Sequence, residues 1–147
     1  MGRAAPELLR TERYSFCYDY PTRYSDLDIY RHINNVAFAE AFEDARVRFA
    51  IDAGIRAAQG KYNPMFANAN CDFLAEAHYP DPLVIYVAVL SIGRTSWTLA
   101  EVAIQNGKPC ALLRGTTVLT DQGKPILLPD ALRELLQRNA IRPVADV

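Results

Sequence analysis

An apolar stripe of helical period, followed at once by closely spaced strand-like runs, leaves this chain few folds to choose from. From Val36 onward, Phe38, Phe42, Ala45 and Phe49 recur at i, i+4, i+7 and i+11, the spacing that lines one face of an α-helix. Glu40, Glu43, Asp44, Arg46 and Arg48 fall off that stripe, with Glu43/Arg46 and Asp44/Arg48 spaced to pair along a helix surface. The pattern predicts a helix from about Asn35 to Asp52, with Gly54 placed to end it.

The rest of the chain reads as strands. Residues Tyr14 to Tyr24 are rich in Tyr, Phe and Thr and are broken by Pro21, as in an edge strand or a bulge. After a loop at Gly60 to Pro64, Met65 to Ala77 is an extended segment and Tyr79-Pro-Asp-Pro82 a turn. Leu83 to Ile92, Thr95 to Gln105 and Pro109 to Thr120 then form three successive strands, joined by turns at Gly93-Arg94 and Asn106-Gly107-Lys108. Asp121 to Pro125 is a further turn, and Pro129 to Gln137 carries the leucine spacing of a short terminal helix, expected over 129–138. One long helix among mostly antiparallel strands is an α+β arrangement. A single helix covers one face of a sheet, and the unbroken apolar run Leu83 to Leu90 implies burial of the other face too, for which a partner chain is the expected cover.

At 147 residues the chain is expected to form one domain over 1–147, with residues 1–13 as a short N-terminal arm. Arg3, Glu7, Arg10, Glu12 and Arg13 leave that arm no apolar core for a secretory signal, and Pro6 stands where a myristoylation motif following Met1-Gly2 needs Ser or Thr. The longest apolar run, Leu83 to Leu90, is too short to span a bilayer as a helix. Sixteen Lys plus Arg against 17 Asp plus Glu supply no basic tract for a phosphate backbone, so nucleic acid is not an expected partner. Cys17, Cys71 and Cys110 are scattered without a C-x-x-C, which points to structural thiols and a cytoplasmic setting.

Chemistry is concentrated in Asp26-Leu-Asp-Ile-Tyr-Arg-His-Ile-Asn-Asn35. Two carboxylates and an imidazole are massed just before the predicted helix, where packing does not explain them, because each must be solvated or hydrogen-bonded. Asp26, Asp28 and His32 form a weak metal set, since His78 is the only other histidine and lies far away in sequence. No G-x-S-x-G or G-x-x-x-x-G-K occurs, which sets aside serine-hydrolase and phosphate-loop chemistry. What remains is a carboxylate at a helix N-terminus, where free N–H groups polarise a carbonyl oxygen while a neighbouring Asp attacks it or activates water. The alternative is purely structural: Asp26 and Asn34 or Asn35 cap the helix, and His32 is a hydrogen-bonded linker.

The stretch from Thr22-Arg-Tyr-Ser-Asp-Leu-Asp28 through His32-Ile-Asn-Asn35 to Phe42-Glu-Asp-Ala-Arg46 resembles the signature of hotdog-fold acyl thioesterases of the 4-hydroxybenzoyl-CoA thioesterase-like group. It also resembles the D-L-D-x-x-x-H-V-N-N segment of acyl-ACP thioesterases. Tyr79-Pro-Asp-Pro-Leu83 and Gly93-Arg-Thr-Ser-Trp97 are similar to the family's turns, so the likeness covers roughly residues 14 to 128 and is strongest over 22 to 49. It implies an antiparallel sheet wrapped around one long helix, and an acyl-CoA thioester hydrolase needing no metal or redox cofactor. Asp28 matches the catalytic carboxylate, as nucleophile or general base. The amide near Asn35 matches the group that polarises the carbonyl, and His32 the histidine that organises the loop or touches substrate. Asp26 is read as structural.

The resemblance further implies a homodimer or homotetramer with its site between subunits, where Asn68, Asn70 and Asp72 would face a partner's Asp28. Arg94 and Ser96 are candidates for the CoA phosphates or pantetheine arm, and Phe38, Phe42 and Phe66 for shaping the acyl pocket. Many relatives carry Gly before the histidine, where this chain has Arg31. Plant acyl-ACP enzymes carry Asn where it has Tyr30, so a CoA thioester fits better than an ACP thioester. A non-catalytic acyl-thioester-binding module is the other alternative; no appended DNA-binding segment speaks for it.

Overall fold

The first strand-forming residues end sooner than their composition suggests. In the computed structural model, which describes residues 5–144, β1 spans Phe16–Tyr20 and stops before Pro21, whose missing N–H cannot serve a ladder. A 3₁₀ turn, Tyr24–Asp26, follows, and then α1, Asn35–Asp52, with the predicted bounds. Gly54 adopts φ 78°, the left-handed conformation glycine takes without penalty, and so separates α1 from the single turn α2, Ile55–Ala58. The remaining elements are β2 Asn63–Phe73, β3 Leu83–Ile92, β4 Ser96–Gln105, β5 Lys108–Asp121, the two-residue β6 Lys124–Pro125 and α3 Asp130–Arg138. The expected extended segment therefore begins earlier and ends at Phe73, short of Ala77.

All strand pairings are antiparallel, in the order β1-β3-β4-β5-β2 with β6 on β5. Asn106 and Gly107, and again Gln122 and Gly123, have positive φ between the paired residues Gln105/Lys108 and Asp121/Lys124. These are the left-handed two-residue turns that match strand twist. Register shifts interrupt β2 at Phe66/Asn68 and β3 at Val89/Ser91; such irregularities add twist and bend, curling the sheet around α1.

Phe38, Phe42, Ala45 and Phe49 are buried, as the stripe requires, and pack with Ile85, Val87, Leu99, Ala103 and Leu119 from the inner sheet face. Asp44 and Arg48 pair at 3.1 Å as expected. Glu43 and Arg46 do not. Arg46 turns inward to the fully buried Glu101 of β4, at 2.8 Å. The outer sheet face is also covered, by the chain itself: Leu8 of the arm and Tyr14 just after it pack with Ala88, Ala100, Val102 and Leu112, and the Tyr14 hydroxyl donates to the Leu8 carbonyl at 2.6 Å. The apolar character of β3 on both faces thus needs no second chain to explain it. Residues 1–4 of the arm, with the Met1-Gly2 reading, and residues 145–147 lie outside the described residues.

The three cysteines are free thiols, and Cys17 is exposed rather than buried. Burial pushes the Cys71 thiol up to about 11 and raises that of Cys110, the opposite of what a nucleophilic thiolate needs. Among the described residues, no helix is long and apolar enough to cross a membrane.

Asn34 alone caps α1, accepting the Ala37 N–H on its side chain at 2.8 Å; Asn35 is the first helical residue. Asn34→Ala is expected to cost about 1 kcal/mol, read as a lower urea midpoint with an unchanged slope. Burial raises the Glu101 carboxyl from 4.5 to about 7, outweighing the lowering by Arg46. A carboxyl raised by folding contributes stability below its unfolded value, and that contribution is lost as pH rises through the folded one. Glu101→Gln should therefore gain on the wild type between pH 5 and 8, by an amount on the order of 2 kcal/mol, in denaturation curves taken across that range.

Candidate active site

Asp26 and Asp28, two residues apart, occupy opposite environments because the backbone between them turns into a small hairpin. Leu27 bridges antiparallel to Ile33, the Asp28 N–H donates to the His32 carbonyl at 3.0 Å, and the Asn34 N–H donates to the Asp26 carbonyl at 2.9 Å. Asp26 is 3 % exposed. One of its oxygens accepts the Arg23 N–H at 2.8 Å, and the other accepts the Arg23 guanidinium at 3.1 Å. It therefore ties the approach to the loop and does not cap α1.

Asp28 is half-buried at the turn end of the hairpin. Its Oδ1 accepts the N–H groups of Tyr30 and His32 at 2.8 and 3.1 Å, an arrangement in which the side chain closes its own turn. Its Oδ2 accepts no hydrogen bond from the described residues. Arg31, at φ 64°, holds the left-handed conformation that completes the turn. Glycine adopts that conformation more readily, so Arg31 holds it at a backbone cost.

The hairpin also delivers α1. With Ile33 paired to Leu27 and Asn34 capping, the N–H groups of Asn35 and Val36 are left without partners among the described residues. Both residues are exposed, so the positive end of the helix dipole faces outward at the base of the hairpin that carries Asp28.

His32 is held from the segment after β2. Its Nε2 lies 3.2 Å from Glu76 Oε2, its ring meets His78 edge-on at 5.3 Å, and the neighbouring Ile33 N–H donates to the Ala77 carbonyl at 2.8 Å. That segment is clamped in turn by buried Gln105, whose amide accepts the His78 N–H and donates to the carbonyls of His78 and Asp81. Glu76 and Gln105 are positioning residues that the sequence reading passed over. A glutamine before an Asn-Gly turn carries no signal of what it clamps. No group of three His, Cys, Asp or Glu side chains is arranged to hold a metal ion among the described residues.

Arg94 and Ser96 are not brought to this site within one chain. They sit at the β3–β4 turn, whereas Asp28 lies by the opposite sheet end, near Leu83, Phe73 and Ala77. A ten-residue strand, Leu83–Ile92, separates the two ends by roughly 30 Å. Asn68 and Asn70 are exposed on the edge strand β2, and Asp72 pairs with Arg114 at 3.4 Å. Phe38 and Phe42 are buried core residues, and Phe38 packs edge-on against Phe73.

The fold has counterparts among known proteins. An uncharacterised Bacillus subtilis (strain 168) protein, YsmA, is 27% identical over 128 residues, which are 84% of this chain and 86% of that protein. The crystal structure of a Thermus thermophilus thioesterase complexed with coenzyme A and Zn is 27% identical, with a TM-score of 0.80 over 90% of this chain and 99% of that one. A predicted thioesterase from Bacillus stearothermophilus is 26% identical, with a TM-score of 0.79 over 88% and 98%. The sequence pattern of the Thioesterase-like superfamily matches residues 22–136, spanning the hairpin, α1, β2 to β6 and most of α3. The chain, an α+β hotdog of a curled antiparallel sheet around α1, therefore belongs to the thioesterase-like superfamily.

Proposed function

We propose that the protein hydrolyses an acyl-CoA thioester to the free acid and CoA, with Asp28 driving attack on the carbonyl. One observation carries this reading: a carboxylate with one oxygen fixed and the other free sits on the hairpin that leads directly into a helix whose first two N–H groups have no partner among the described residues. Those N–H groups, at Asn35 and Val36, suit the oxyanion that forms when the carbonyl is attacked. The free oxygen of Asp28 either adds to the carbonyl carbon, expelling the CoA thiolate, or takes a proton from a water that does so. Water supplies the oxygen of the product acid in both routes, and the thiol leaves with a proton. His32, steadied by Glu76, shapes the loop at the edge of the site. CoA as carrier draws support from the CoA-bound Thermus thermophilus relative.

The functional unit is a homodimer formed through β2. This edge strand is eleven residues long, exposed along most of its length, and flanked by exposed Met65, Phe66 and Phe73 and by Val36, Val47 and Ile51 of α1. A long, apolar, unpaired edge favours pairing with another strand. Two-fold antiparallel pairing of β2 with itself sets the far end of the partner's sheet beside Asp28. That brings Arg94 and Ser96 of the partner subunit toward the CoA moiety. Three free thiols accord with a reducing, cytoplasmic compartment.

The test is release of free thiol from a panel of short, medium, long and aromatic acyl-CoAs. Asp28→Asn keeps the side-chain shape and should lower turnover by two or more orders of magnitude with the melting temperature little changed. Asp26→Ala, by contrast, should lose about 2–3 kcal/mol of stability through its buried, charge-assisted bonds. Undiminished turnover in Asp28→Asn would overturn the assignment. Binding of acyl-CoA without turnover on any member of the panel would favour the binding module.

A further inference from the structure

The turn between β3 and β4, at the end of the sheet away from Asp28, is held more firmly than an exposed turn needs to be. The Gly93 N–H donates to the Ser96 carbonyl at 2.7 Å, which closes it, and the Leu119 N–H of β5 donates to the Thr95 carbonyl at 2.9 Å. A Cβ at Gly93 would stand 3.0 Å from Ser96 Oγ, so the glycine keeps that hydroxyl's place clear. Exposed turns are ordinarily among the more mobile parts of a fold. Here further bonds arrive from the C-terminal segment. The Leu128 N–H donates to the Arg94 carbonyl at 3.0 Å, and Arg133 of α3 donates through Nη2 to the carbonyls of Gly93 and Arg94 at 2.9 and 3.4 Å.

Stability does not account for the Arg133 bonds. Leu132 and Leu136, both fully buried, already anchor α3, and Leu135 lies alongside Gly54. A bond from an exposed, long side chain adds little to that, because ordering the side chain offsets most of the gain. What these bonds do fix is the peptide that carries Arg94: its carbonyl oxygen receives both Leu128 and Arg133, which fills both of its acceptor positions. The Arg94 side chain is exposed, and neither its guanidinium nor that of Arg133 joins an ion pair among the described residues. A guanidinium free of carboxylates suits a phosphate. On a backbone that cannot drift, it binds with less ordering cost.

We propose that Arg133 is a positioning residue for recognition of the thioester's carrier: by holding the Gly93 and Arg94 carbonyls it fixes the turn from which Arg94 meets the phosphates of CoA. It acts on CoA affinity through Arg94 and does not touch substrate. The inference rests on the acyl-CoA reading above and deepens it. In the dimer paired through β2, each subunit's turn lies toward the other subunit's Asp28, so α3 of one chain tunes the site centred on the Asp28 of the other.

The test compares one acyl group carried on CoA and on pantetheine, which lacks the nucleotide and every phosphate. The full-length wild type is set beside Arg133→Gln, Arg133→Lys, Arg94→Gln and the double variant Arg94→Gln/Arg133→Gln, with circular dichroism confirming that each folds. Arg133→Gln should raise KM for the acyl-CoA about tenfold, the scale of one hydrogen bond to a charged group, with kcat little changed and KM for the acyl-pantetheine unaltered. Arg133→Lys, which can still donate to one carbonyl, should recover part of the loss. The double variant should be no worse than Arg94→Gln. Equal losses on both carriers would mark a merely structural role and overturn the proposal, as would additive losses in the double variant or an unchanged KM in Arg133→Gln. Should Arg133→Gln fail to fold, Gly93→Ala, which crowds Ser96 within the same turn, takes its place with the same split between carriers expected, and no split would count against the proposal. Calorimetric titration with CoA and with pantetheine repeats the comparison without turnover. A wild type that prefers CoA and loses that preference in Arg133→Gln, yet hydrolyses no thioester, would overturn the hydrolase reading and leave the role of Arg133 standing; a wild type without the preference would overturn the role of Arg133.

Discussion

Everything in this structure hangs on the burial of one face of α1 in the curl of the sheet. Phe38, Phe42, Ala45 and Phe49 are almost wholly removed from water, and each large buried side chain is worth roughly 1.5–3 kcal/mol. The same contact fixes where the helix begins. Once Phe38 is seated, Asn34 and Asn35 have no freedom to slide, so the unpaired N–H groups stand at a defined place on the rim. The hairpin then needs only one bridge, Leu27 to Ile33, to fix the turn that holds the Asp28 carboxylate relative to them. A packing interaction thus determines the geometry of a polar site none of whose polar groups takes part in that packing.

The outer face of the sheet follows a different logic. The arm folds back across it, and the chain's two ends fasten each other there: the Arg142 N–H donates to the Arg13 carbonyl, and the Arg13 guanidinium donates to the Arg142 carbonyl. With Leu8 and Tyr14 over Ala100 and Val102, much of this surface is shielded from contact with another sheet. Unsatisfied apolar surface and unpaired backbone are instead gathered on the β2 edge and the adjoining face of α1. Partner binding through that edge would leave the arm undisturbed.

Period and punctuation made the fold legible in the sequence. The bounds of α1 follow from a 3.6-residue stripe closed by Gly54, and those of β3 to β5 from apolar runs separated by Asn-Gly and Gly-Arg turns. Contacts distant in sequence were not legible. Glu43/Arg46 has a sound helix-surface spacing, yet Arg46 pairs with Glu101, 55 residues away, because its position borders the buried stripe and a long side chain there can reach inward. The double-sided burial of β3 was visible as an apolar run, but no local pattern says that the cover is the chain's own arm. Within the site, Asp28 and Asn35 stood out as polar groups at a helix start. Glu76 and Gln105, which steady His32 and its neighbours from outside the motif, did not.

The two aspartates show how little chemistry the residue type alone decides. Asp26 and Asp28 have the same side chain, yet a backbone reversal gives the first a buried cradle of Arg23 contacts on both oxygens and the second a turn that engages only one. A carboxylate with both oxygens committed would have to break bonds before it could take a proton or meet a carbon. With one oxygen committed it is oriented, while the other stays open to substrate or water. Orientation without saturation is the electrostatic condition for a preorganised group, and only Asp28 meets it. The Arg46–Glu101 pair shows a related feature in a buried setting: a single contact joins the two groups, and Glu101 Oε1 has no partner among the described residues.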